Sequence, residues 1–337
     1  MNMLMKRIAV MFLLTWCMGR PAEAGGPELR FNREGKFKIV QFTDVHFRYG
    51  NPASDIALER INEVLDAENP DFVIFTGDVI YSAPAEQGMR TVLELVAKRK
   101  IPFGVVCGNH DDEQGMSRGE LLEVIRTIPY NLTARADGIS GETNFILPVK
   151  SSCGDKAALV LYCFDSHSYS SVKGVRGYDF LKPDQIAWYR DNSRKYTEAN
   201  GGRPLPSLAF FHIPLPEYNQ AAGDEEAVLV GTRMEKACAP ALNSGMFAAM
   251  KEQRDIVGIF VGHDHDNDYV VDWKGILLGY GRYTGGNTVY NDLPNGARVI
   301  EMTEGRHGVR TWVRLKGGRV INPVDYPEDF RKKGDPK

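Results

Sequence analysis

Cysteine is scarce in this chain of 337 residues: five are present, and none forms a C-x-x-C pair. A zinc ribbon is therefore not supported. Strong charge of either sign is missing too. The formal net charge is −3, without the basic excess that nucleic-acid partners select, so the chain carries no nucleic-acid-binding signature. It has no long low-complexity stretch and no internal repeat. Beyond the first residues no apolar run is long enough to cross a bilayer, so no transmembrane segment is expected in the mature chain. What is there is an ordinary globular composition, 43% hydrophobic and 25% charged, in a chain long enough to bury a substantial core.

The opening residues read as a targeting segment. Lys6 and Arg7 precede an apolar run over 8–18, and Ala22-Glu23-Ala24 offers a small-x-small cleavage site. Residues 1–24 are expected to be a signal peptide, with export to a periplasm or the medium after cleavage near Ala24. Cys17 permits a lipoprotein alternative, weakened by Trp16 standing where such a signal needs a small residue. Export permits disulfides. Cys153 and Cys163, however, flank a predicted strand that would hold them roughly 30 Å apart, too far to bridge. Cys107 ends an apolar strand and reads as a buried thiol. Neither these nor Cys238 yields a predicted disulfide.

Hydrophobic periodicity organises the rest. Strands are predicted over 37–42, 72–76, 102–106, 144–149, 157–164, 208–211 and 256–261, with further strands and turns over 269–279 and 297–313. Helices are predicted over 53–67, 89–98, 118–127, 183–195 and 246–253. The first third alternates strand and helix, and the second half is richer in strands. The fold class is α/β: two sheets packed face to face as a β-sandwich, flanked by helices. One domain is expected over about 30–320, followed by a loose polar tail over 321–337.

Five short motifs stand directly after predicted strands, where ligand sites of open α/β sheets collect. They are Thr43-Asp44-Val45-His46, Thr76-Gly77-Asp78, Gly108-Asn109-His110-Asp111, Phe211-His212-Ile213-Pro214 and Gly262-His263-Asp264-His265. Each alone reads as a turn or a helix cap. Together they hold five of the seven histidines in the chain, which unrelated turns would not recruit. The candidate ligands are Asp44, His46, Asp78, Asn109, His212, His263 and His265. This mixed oxygen and nitrogen set, without thiolate, suits Mn, Fe or Zn. It is too large for one tetrahedral ion and suits two divalent or mixed-valence ions about 3.5–4 Å apart, sharing a carboxylate.

In this order and spacing the motifs resemble those of the calcineurin-like metallophosphoesterase superfamily, D-x-H, G-D, G-N-H-D/E, H and G-H-x-H. The run 240–245 together with 262–269 looks like its purple acid phosphatase-like branch. The resemblance implies an α/β/β/α sandwich. It implies that Asp44, His46 and His265 bind one metal, that Asn109, His212 and His263 bind the other, and that Asp78 bridges them. His110 would serve the leaving group without binding metal, and Asp111 would orient His110. One departure bears on this. Purple acid phosphatases bind iron(III) through a tyrosine three residues after the bridging aspartate, and have glycine at the position of His46. Here Tyr81 stands at that spacing, yet His46 is present. His46 is taken as the ligand and Tyr81 as a nearby loop residue.

The implied activity is that of an exported dinuclear-metal phosphoesterase. A metal-bridging hydroxide attacks phosphorus and His110 protonates the departing oxygen. The expected partner is a small-molecule phosphate ester, with a phosphomonoester favoured and a phosphodiester as the alternative. The rival reading from another class is a non-catalytic, metal-binding surface lipoprotein. Arg48, Tyr49, His167, Ser168, Tyr169, Arg282 and Tyr283 are candidates for the substrate rim.

Overall fold

A computed structural model describes residues 27–331. The predicted signal peptide lies outside them, and among the described residues no helix is long and apolar enough to cross a membrane. In chain order the elements are β1 (Lys36–Phe42), α1 (Asp55–Glu68), β2 (Phe72–Thr76), α2 (Ala85–Ala97), β3 (Phe103–Val106), α3 (Arg118–Arg126), β4 (Phe145–Lys150), β5 (Ala157–Cys163), α4 (Pro183–Ala199), β6 (Ser207–Phe210), α5 (Glu217–Ala222) and β7 (Leu229–Val230). There follow α6 (Met246–Gln253), β8 (Ile256–Val261), β9 (Val270–Trp273), β10 (Ile276–Tyr280), β11 (Gly296–Thr303), β12 (Val309–Leu315) and β13 (Val320–Tyr326).

Two sheets result. One has the order β13-β12-β11-β1-β2-β3 and the other β4-β5-β6-β8-β10-β9-β7. Strands β1, β2 and β3 run parallel, as do β5, β6, β8 and β10. Their inward faces meet in a shared core that includes Ile39, Ile74, Leu161, Phe210 and Phe260. Helices α1–α3 cover the outer face of the first sheet and α4–α6 that of the second, each over its own apolar layer. The expected two-sheet α/β sandwich is therefore the observed fold. In α1 the fully buried ridge runs through Ala57, Ile61, Val64 and Leu65, while Ile56 and Leu58 are half-buried. In α3 Ser117 and Glu120 form a reciprocal capping box that fixes the helix start.

Two departures are local. Residues 321–326, expected to be tail, belong to β13, which pairs antiparallel with β12. Pro323 obscures the strand in the sequence, but β13 is an edge strand, where a missing donor is tolerated. Helix α5 and strand β7 are six and two residues long, too short to leave a periodic signal. The four described cysteines are free, with Cys107 and Cys163 buried.

Gln41 fastens the sheets together beneath the motif loops. Its amide donates to Thr76 Oγ1 at 2.8 Å in the first sheet and to Val261 O at 3.0 Å in the second. Gln41 is fully buried, so water cannot replace the bridge, although Val261 O also accepts the Gly281 N–H at 2.7 Å. Gln41→Ala is expected to lower unfolding stability by about 1–3 kcal/mol, the cost of losing the buried bridge, read as a shift in the urea midpoint. An unchanged midpoint would show that the sheets do not depend on this link.

Candidate metal centre

The five motifs follow β1, β2, β3, β6 and β8, all parallel strands within their sheets. Their carboxyl ends therefore open on one edge of the sandwich. The loops after β1 and β2 continue side by side: Asp44 N donates to Gly77 O at 3.1 Å, His46 N to Asp78 O at 2.9 Å and Phe47 N to Val79 O at 3.0 Å. The loop after β8 joins them, since His263 N donates to both Asp44 carboxylate oxygens at 3.0–3.1 Å.

This convergence bends the backbone hard. Asp44, His46, Asp78 and His263 all have left-handed φ, between 45° and 83°. Such conformations cost of order 1–3 kcal/mol each and collect at functional sites. Glycine is needed where loops touch. A Cβ at Gly108 would fall on the Asp78 carboxylate, and one at Gly262 on the Thr43 hydroxyl.

The side chains form two groups whose ligand atoms lie within 4.8 Å of one another: Asp44, His46 and His265, and Asp78, His212 and His263. His212 Nδ1 donates to Thr76 O at 2.7 Å, which leaves Nε2 as a lone pair. That lone pair faces Asp78 Oδ2, Asn109 Oδ1 and His263 Nδ1, each 3.2 Å away. In the other group His265 Nδ1 donates to Tyr290 O at 2.9 Å. Its Nε2 then faces His46 Nε2 at 3.0 Å and Asp44 Oδ1 at 3.7 Å. Asp78 Oδ2 also lies 3.6 Å from His46 Nε2, so it stands between the groups.

Electrostatics agree with a cation there. Burial holds His46 and His263 well below the ordinary imidazole range, as neutral donors. Burial pushes Asp44 up, whereas for Asp78 the neighbouring imidazoles outweigh burial and hold it well below the carboxylate range. For His212 the Asp78 charge likewise outweighs burial and draws positive charge to the ring, a demand that a metal ion at Nε2 would meet in place of a proton. Acceptors converging without donors in a water-free pocket are unfavourable unless a cation compensates them. The buried His263 Nε2 finds no hydrogen-bond partner within the protein. The residues present thus fit two metal ions.

The chain matches the calcineurin-like phosphoesterase family model over residues 37–267. It belongs to the calcineurin-like phosphoesterase family. "Probable inactive purple acid phosphatase 29" of Arabidopsis thaliana is 32% identical over 338 residues, spanning 88% of this chain and 86% of the plant protein. Phosphatase DCR2 of Saccharomyces cerevisiae is 34% identical over 335 residues, 88% of this chain and 57% of the yeast protein. Among solved structures, a dimetal phosphatase from Danio rerio has a TM-score of 0.58 at 12% identity, covering 86% of this chain and 98% of its own. Purple acid phosphatase PPD1 from yellow lupin has a TM-score of 0.52 at 13% identity, covering 89% of this chain and 55% of its own. At those identities the structures share the fold, and the sequence relatives place the chain in the purple acid phosphatase-like branch of the family.

One expected residue role in this chain is corrected. Asp111 does not orient His110. Its carboxylate is fully buried and accepts four backbone N–H groups, from Asp78 (3.0 Å), Val79 (2.8 Å), Ile80 (3.1 Å) and Gly108 (2.8 Å). The partner of His110 is Glu113, with Oε2 2.6 Å from Nδ1. The single turn of 3₁₀ helix over Asp111–Glu113 explains the exchange: it places Glu113 back over the ring and turns Asp111 inward. Glu113 is visible in the sequence at i+3, but two nearer acids compete with it there.

Tyr81 lies in neither ligand group; its ring stands edge-on to His46 and to His110, both at 5.0 Å. Arg48 sits over the Tyr81 ring at 4.9 Å. Arg282 and Tyr283 are buried and do not form a rim, since Arg282 pairs with Asp268 and Tyr283 packs against His265. Sequence reasoning missed Tyr178 and Tyr290, which pack on His263 and His265 at 4.2 Å and 4.5 Å.

Asp111→Ala would strand four buried donors that link two motif loops. The expected outcome is a loss of several kcal/mol in stability, with metal stoichiometry falling in parallel. Full stability together with full metal loading would show that the loops hold without this clamp.

Proposed function

We propose that this chain is an exported dinuclear metallohydrolase that cleaves phosphate esters, with monoesters preferred. The observation that carries the reading is Asp78 Oδ2 standing between two buried ligand groups, with His110 at the open side, its side chain 26% exposed. Asp44, His46 and His265 would hold one ion, and Asn109, His212 and His263 the other, with Asp78 shared. Ions of the Mn, Fe or Zn type held there would supply an acidified water and positive charge for the phosphoryl oxygens.

The protein's own groups do the rest. Thr43 Oγ1 donates to Asp44 Oδ2 at 2.7 Å and the His110 backbone N–H to Asp78 Oδ1 at 2.8 Å, which fixes both carboxylates. Thr76 O and Tyr290 O fix the tautomers of His212 and His265. Glu113 engages Nδ1 of His110, leaving Nε2 to give a proton to the departing oxygen. Three relatives carry "inactive" in their names. Against a non-catalytic reading of this chain stand its full set of seven donors and His110.

His110→Ala is expected to lower kcat on p-nitrophenyl phosphate by roughly 10²–10⁴-fold, while both metals remain bound by elemental analysis. Undiminished kcat would remove His110 from the mechanism. Wild-type protein should also turn over p-nitrophenyl phosphate faster than bis(p-nitrophenyl) phosphate, and the reverse order would make it a diesterase. Export predicts a mature amino terminus just after Ala24 by mass spectrometry. An acylated Cys17 there would instead make the chain a lipoprotein.

A further inference from the structure

The mouth of the centre is walled by tyrosines, and one of them stands on the side served by His110. Residues 168–179 form an excursion closed by two backbone hydrogen bonds, Asp179 N to Ser168 O at 3.0 Å and Ser170 N to Gly177 O at 2.9 Å. Ser168 Oγ donates to Asn109 O at 3.2 Å. The largely buried Arg118 donates to His167 O at 2.9 Å and to Gly108 O at 2.7 Å. The excursion is therefore fastened at its base to the loop that carries Asn109 and His110. Within it Tyr178 stands edge-on to His263 at 4.2 Å. Tyr169 stacks on Tyr178 at 5.6 Å and 24°, yet half of its surface stays exposed. A rigidly backed ring with an open surface suits contact with another flat ring.

Direction and charge narrow the ligand. The Tyr169 hydroxyl donates to Glu113 Oε1 at 3.1 Å, and the other oxygen of Glu113 holds His110. One carboxylate thus ties the exposed ring to the residue that serves the departing oxygen, which places the ring beside the leaving group. The same carboxylate disfavours a leaving group that carries a second phosphate.

We infer that Tyr169 is a specificity-determining residue whose ring forms a subsite for a flat, uncharged aromatic leaving group, making aryl phosphomonoesters the favoured substrate class. This rests on the phosphoesterase reading given above. Ring packing of this kind is worth up to about tenfold in kcat/KM. The test uses metal-loaded protein with phenyl phosphate and β-glycerophosphate, in wild type, Tyr169→Ala and Tyr169→Phe. The expected result is that the phenyl-to-glycerol ratio of kcat/KM falls about tenfold in Tyr169→Ala, mainly through KM for phenyl phosphate, and holds in Tyr169→Phe. A ratio unmoved by Tyr169→Ala overturns the inference. So does equal loss in Tyr169→Phe, which would assign the effect to the hydroxyl rather than the ring. Wild-type protein that hydrolyses neither ester overturns the phosphomonoesterase reading itself, and the subsite with it.

Discussion

Asp111 accepts hydrogen bonds from the backbone N–H groups of Asp78, Val79, Ile80 and Gly108, and the geometry of the centre depends on that clamp. It binds the loop after β2 to the loop after β3. It also holds Asp78 in a left-handed conformation that an aspartate seldom adopts. From there the arrangement spreads. Asp78 takes the His110 N–H, its second oxygen faces both groups of imidazoles, and the loop after β1 runs alongside it. A single buried carboxylate, facing no ligand, thus sets where the central one points.

The strain and the close contacts need a rigid support. Four left-handed non-glycine residues at one sheet edge raise the energy of the native state. Three apolar layers offset that cost: one between the sheets and one under each helical face. Gln41 joins the sheets at the depth where the motif strands end. His46 and His212 are both buried, yet their proton affinities move in opposite directions: burial and the neighbouring imidazoles prevail at His46, whereas Asp78, hydrogen-bonded at 3.2 Å, and Asp44 prevail at His212.

Much of the fold was legible because its central strands are continuous apolar runs. The limits of β2, β8 and α6 coincide with those read from hydrophobic pattern alone. Where the pattern is short or interrupted, the reading failed. Helix α5 and strand β7 fall below the window in which a period can be seen, and Pro323 disguised β13. Helix α2 begins at Ala85, ahead of its predicted start, because the turn Ala85–Gly88 contains no apolar side chain larger than alanine.

The sequence by itself determined the candidate ligand set and its order. Scarce histidines placed after apolar strands have no other common explanation, and parallel strands bring their ends to one edge. The motif resemblance already implied how the donors divide into two groups; only the tertiary structure decided how the loops that carry them join and which acid partners His110. It also decided which aromatic rings reach the mouth. Those pairings join residues far apart in the chain, such as Asp44 with His263 and Tyr178 with His263, and they turn on loop conformation. The partner of His110 was set by one turn of 3₁₀ helix that rotates Asp111 inward and Glu113 outward. Hydrophobic pattern carries no record of that rotation, because its cause is the demand of four buried N–H groups for an acceptor.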